Sequence, residues 1–162
     1  MTKRPTKETP GSFVQLPLLG AVAIYARVAT VDKLTDGEPA QIEELTHYAS
    51  ALGFSDEQVT LFCDAGKQAC APLFERQGYT DLLKAIREGA VNVLFIHAED
   101  RLFSDANELQ VNTFIHLCIE RGVLVVTAQM VYDFQDLTHV ALFRRQCVSA
   151  FRALQDATKL MQ

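Results

Sequence analysis

The stretch Ala21–Lys33, AVAIYARVATVDK, decides the fold. Its first six residues form an apolar run too short for a helix. The run then passes Arg27 and gives way to polar residues, the pattern of a buried strand that ends in a functional loop. Three further runs read the same way: VTLFC (Val59–Cys63), VNVLFIH (Val91–His97) and VLVVTA (Val123–Ala128). Because these runs are continuous rather than alternating, they predict strands buried on both faces. Between them lie three helical patterns. The first has Pro39 near its start, carries Ile42, Leu45, Tyr48, Ala49 and Leu52 on one face, and stops at Gly53. The second carries Leu82, Leu83 and Ile86 and stops at Gly89. The third opens at Ser104 or Asp105, both good N-caps, and stops at Gly122. Strand and helix therefore alternate, which predicts an α/β fold with a mostly parallel central sheet and flanking helices. Active sites in such sheets gather at the carboxyl ends of the strands, here Arg27–Lys33, Asp64–Gly78, Ala98–Asp105 and Gln129–Asp136.

The chain has 162 residues and a formal net charge of -5. A domain of this length buries roughly 70% of its unfolded surface, enough for a core of its own. The acidic balance argues against a broadly basic nucleic-acid binder, so any contact with DNA must come from a local basic stripe. The cysteines Cys63, Cys70, Cys118 and Cys147 lack the C-x-x-C spacing of zinc sites and read as reduced thiols of a cytoplasmic protein. No His-x-x-x-His pair occurs. The expectation is no metal and no cofactor. No apolar run approaches the roughly 20 residues that cross a bilayer, so no membrane association is expected. Residues 1–19 read as a loose, polar, proline-bearing tail, 20–136 as the α/β domain, and 137–162 as a long C-terminal helix.

Several common chemistries are excluded by their missing signatures. There is no G-x-G-x-x-G after the first strand, no P-loop and no G-x-S-x-G elbow. What stands at the loop mouths is a set of arginines, Arg27, Arg76 and Arg101, with Asp100 beside the last. Guanidinium groups present rigid forks of donors that match phosphate oxygens, so this set predicts a phosphate-handling pocket.

YARVAT (Tyr25–Thr30) followed by AEDRLFS (Ala98–Ser104) resembles the catalytic domain of serine recombinases, the resolvase and invertase family, whose hallmarks are Y-x-R-x-S-T and D-R-L-x-R. The resemblance covers about residues 20–160 and extends to Gln41, to the D-x-G of Asp64–Gly66 and to the ERQGY turn at Arg76. It implies a resolvase-like three-layer fold and a mechanism in which a serine attacks a DNA phosphodiester while Arg27, Arg76 and Arg101 hold phosphate. Asp100 would handle a proton or orient an arginine.

Two positions depart from that pattern. The nucleophilic serine falls on Ala29, whose methyl group cannot attack phosphorus, and the last arginine of D-R-L-x-R falls on Ser104. Losing one charge-stabilising donor alone costs about 10² to 10³ in rate. The sequence therefore predicts a recombinase-like domain that is catalytically inactive, against the alternative of one that still cleaves or binds DNA with altered chemistry. In the last segment Val140, Phe143, Cys147, Ala150, Leu154, Ala157 and Met161 follow alternating three- and four-residue steps, a stripe fit to meet a partner. The corresponding helix of the family forms a dimer, so Val140, Phe143, Cys147, Leu154 and Met161 are the expected interface of a homodimer or higher oligomer. Arg145, Arg152 and Lys159, seven apart, form a line that could follow DNA phosphates. DNA or another recombinase is the expected partner. Family members carry a DNA-binding module after this helix; with the chain ending at Gln162, sequence-specific binding by this chain alone is not expected.

Overall fold

The structure, a computed structural model, describes residues 14–28, 38–65, 75–103 and 108–160. A five-stranded sheet has the order β2-β1-β3-β4-β5. Strands β1 (Val22–Val28), β2 (Val59–Ala65), β3 (Val93–Ile96) and β4 (Leu124–Val126) are parallel. The central β1 pairs with β2 from Val22↔Val59 to Val28↔Ala65 and with β3 from Val22↔Val93 to Tyr25↔Ile96. Alternation along β1 divides the core. Val22 and Ile24 face one layer with Leu45 and Ala49 of α1 (Glu38–Ala51), while Ala23 and Tyr25 face the other. That second layer holds α2 (Gln77–Arg87), α3 (Glu108–Arg121) and α4 (Leu137–Leu160). The first three helices stop at the expected glycines, Gly53, Gly89 and Gly122, with φ of 106°, 74° and 68°. The expected start of α3 at Ser104 or Asp105 lies outside the described residues. Among the described residues no helix is long and apolar enough to cross a membrane.

Four expectations need correction. Strand β2 is not covered on both faces: it is an edge of the sheet, and Leu61 is 49% exposed. A short antiparallel strand, β5 (Val131–Tyr132), pairs with β4. It is formed by a tight turn in which the Thr127 hydroxyl accepts the N–H groups of Gln129 and Met130, and two residues are too few to register as a hydrophobic period. The tail is not loose throughout. Leu16 packs on the α1 layer, and the Gln58 side-chain amide donates to the carbonyls of Leu18 (2.9 Å) and Gly20 (2.8 Å).

The fourth correction concerns α4. Val140, Phe143 and Cys147, expected to face a partner, are buried within this chain. Phe143 has 0% exposure and sits among Phe103, Phe114, Tyr132 and Phe134, with ring centroids 5.1 to 6.4 Å away. Offset and edge-to-face contacts of this kind add to the roughly 1.5–3 kcal/mol from burying each large apolar side chain. The first half of the stripe is therefore core. Met161 lies outside the described residues.

Candidate active site

The order β2-β1-β3-β4-β5 makes the chain leave β1 toward one edge of the sheet and β3 toward the other, with α1 and α3 on opposite faces. At the carboxyl ends of β1 and β3 the direction of the strand order reverses, the place where such sheets hold ligands. Arg27 is buried near the carboxyl end of β1, and a short 3-10 helix, Glu99–Arg101, follows β3.

Arg27 is spent on holding that turn. Its Nε donates to the carbonyl of Arg101 (3.0 Å) and a terminal nitrogen donates to the carbonyl of Asp100 (2.9 Å). The carbonyl of Arg27 in turn accepts from the Arg101 guanidinium (3.3 Å) and from the side-chain amide of Gln41 on α1 (3.2 Å). Burial pushes the Arg27 pKa below the usual arginine value; the cations of Arg101 and Arg76 push the same way, against Tyr25 and Asp100. Arg101 and Arg76 are thus both within electrostatic reach of Arg27. Asp100 and Arg101 form a loose pair, 3.7 Å apart, with side chains 40% and 27% exposed.

Arg76 is placed differently. It is fully buried at 0% exposure, with its guanidinium carbon 4.3 Å from the centre of the Tyr79 ring. One terminal nitrogen donates to the Tyr25 hydroxyl (3.0 Å), which donates to Asp64 (2.7 Å). The Asp64 carboxylate also accepts the backbone N–H groups of Gly78 (2.7 Å) and Tyr79 (2.8 Å), so it caps the first turn of α2 from a neighbouring strand. Burial, opposed by Arg76, raises the pKa of Tyr25 well above the usual phenol value and keeps it a donor. Gly78 is required by contact: a Cβ there would lie 2.3 Å from the Cys63 carbonyl oxygen. The expectation of Arg76 at a loop mouth is corrected, because a cage of two tyrosines and a carboxylate holds it beneath the surface.

Sequence reasoning assigned no role to Tyr25, Asp64 or Tyr79, although all three stand inside quoted motifs. Their signal was spacing to an arginine in another segment, which only the parallel pairing of β1 and β2 reveals. Ala29 and Ser104 lie outside the described residues. Arg145, Arg152 and Lys159 are exposed on α4.

The family model for the resolvase N-terminal domain matches residues 22–159. The chain belongs to this family. Solved structures agree with it. The C-terminal catalytic domain of ISC1926 TnpA, an IS607-like serine recombinase, is 28% identical with a TM-score of 0.56, and the alignment covers 66% of each chain. The N-terminal catalytic domain of TP901-1 integrase is 20% identical with a TM-score of 0.57, covering 88% of this chain and 98% of that one. A resolvase family site-specific recombinase from Streptococcus pneumoniae is 16% identical with a TM-score of 0.60, covering 88% and 93%. The last two likenesses concern the fold. No curated protein matches the chain. The resolvase domain is of the serine recombinase type.

Proposed function

We propose that this resolvase domain is catalytically silent and acts by self-association or by pairing with another protein, an active recombinase included, in DNA recombination. The observation that carries the reading is the alanine at position 29, where the family pattern Y-x-R-x-S-T has its nucleophile. Covalent catalysis has no fallback without one. The engagement of Arg27 with two backbone carbonyls and the caging of Arg76 support the same reading, since both guanidiniums serve the fold. Self-association would use the part of α4 beyond Cys147, where Leu154 and Met161 continue the apolar stripe.

A suicide DNA substrate followed by denaturing electrophoresis tests the silence. No protein–DNA adduct is expected. The double change Ala29→Ser and Ser104→Arg, with a DNA-binding module fused on, should produce one, and each single change should do much less, because residues acting as one catalytic unit are non-additive. An adduct from the unaltered chain would overturn the reading. Sedimentation at matched micromolar concentrations tests association. The unaltered chain should sediment as a dimer and Leu154→Glu as a monomer, since an unpaired carboxylate in an apolar contact costs several kcal/mol.

The second reading, a domain that still acts on DNA, is favoured by the part-exposed Asp100 and Arg101 and by the exposed line Arg145, Arg152 and Lys159. Under it, replacing any one of that line would reduce the salt dependence of DNA binding by about one unit of slope.

A further inference from the structure

Beside the Asp100–Arg101 turn lies a cavity of about 340 Å³ lined by Glu99, Gln129, Met130, Tyr132, Leu142 and Gln146. Four elements meet there: the 3-10 helix, the β4–β5 turn, β5 and α4. The only charged side chain among these lining residues is the Glu99 carboxylate. It is held in place: the Tyr132 hydroxyl donates to its Oε1 at 2.5 Å, and the Tyr132 ring, 2% exposed, packs edge-on against Phe143 at 5.1 Å. Burial and the Glu99 contact raise the Tyr132 pKa, so the hydroxyl remains a donor. The thiol of Cys147, on the adjoining face of α4, is pushed up to about 12, first by burial and then by the negative charges of Glu99 and Asp100. Two carboxylates are therefore within electrostatic reach of one buried group in this corner.

We propose that this cavity binds an ammonium or guanidinium group on a short apolar stem, with Glu99 as its counter-ion. A carboxylate with one oxygen fixed by a tyrosine presents the other in a defined direction, which is the condition for a charge-assisted hydrogen bond. The side-chain oxygens of Gln129 and Gln146 can accept the remaining N–H groups, and Met130 and Leu142 offer apolar contact to the stem. A neutral apolar or anionic occupant would bury the carboxylate uncompensated and is disfavoured. The volume lies at the small end of ligand sites, about 300–1,000 Å³. Such a group is carried by a free alkylamine or by a lysine or arginine side chain of a partner protein. Because Glu99 begins the turn that carries Asp100 and Arg101, occupancy would be felt at those two residues. The proposal does not depend on whether the domain cuts DNA.

The test is titration of the ¹⁵N-labelled chain with butylammonium chloride and, separately, with an acetylated and amidated Ala-Arg-Ala peptide. Saturable shifts are expected at the amides of Glu99, Arg101, Met130 and Gln146. Saturation by butylammonium alone identifies a free amine, and saturation by the peptide identifies a partner's side chain. Glu99→Gln should weaken binding about tenfold and Tyr132→Phe, which keeps the ring, about threefold, the cost of losing or misorienting one charge-assisted bond. Gln146→Leu, at an exposed position on α4, should weaken it about threefold and decides the matter where Glu99→Gln does not fold. Absence of saturable shifts up to about 50 mM of either probe, or Glu99→Gln and Gln146→Leu binding as tightly as the unaltered chain, overturns the proposal.

Discussion

Arg76, at the N-terminal end of α2, and Arg101, in the 3-10 helix after β3, are the same residue type and end in opposite environments. Arg76 is held by Tyr25 and Tyr79 and linked through the Tyr25 hydroxyl to the Asp64 carboxylate, which accepts from the sheet and from the first turn of α2. Arg101 keeps a quarter of its side chain exposed and contacts a carboxylate only at 3.7 Å. The difference teaches that one motif arginine can be enclosed by the fold while another keeps part of its side chain in solvent.

Stability measurements can break this comparison. The largest effect is expected from Arg76→Met, about 3–5 kcal/mol by urea unfolding, since removing one member of a buried charged network leaves the others uncompensated. Arg101→Met should cost no more than about 1 kcal/mol, the range of exposed ion pairs. Equal losses at the two positions would erase the distinction. Tyr25→Phe should come next, at about 1–3 kcal/mol, because it deprives the buried Asp64 and Arg76 of the hydroxyl between them.

The smallest effect sharpens the comparison through pH. The Tyr25 pKa is raised by folding from the usual 10.0. Below pH 10 the contribution is fully present; above it the unfolded chain releases a proton that the folded chain retains, so stability must fall as pH rises. Unfolding at pH 9 and pH 11 should therefore show a loss in the unaltered chain that is reduced in Tyr25→Phe. Tyr79, raised by burial in the same way, sustains the remainder. A pH slope unaffected by Tyr25→Phe would place the coupling elsewhere.

The parallel strands were legible because apolar, β-branched runs of five to seven residues bounded by polar segments have few other uses, and the helix stops because glycine alone tolerates the left-handed region without strain. The stripe on α4 was legible as apolar but not as internal: a three- and four-residue period states that a face is buried and is silent about what buries it. Phe143 is covered by Phe114 and Phe134, whose positions depend on tertiary packing that no local window contains. The arginines were legible as residues following the strands, but the depth of Arg76 was not. Arginine reads as a surface residue on any hydropathy scale, and only the convergence of Tyr25, Asp64 and Tyr79 around it makes burial tolerable.

The contact between Gly78 and the Cys63 carbonyl has a bearing on inheritance. A glycine whose replacement would drive a carbon into the backbone of β2 is needed whenever the domain is to fold, whether or not the chain ever touches DNA. The same holds for the aspartate that caps α2. Selection for a folded scaffold alone would keep Arg76, Gly78 and Tyr79 of the ERQGY turn in place, whatever happened at positions that only chemistry needs. A lineage of such domains would go on looking like recombinases for as long as it went on folding.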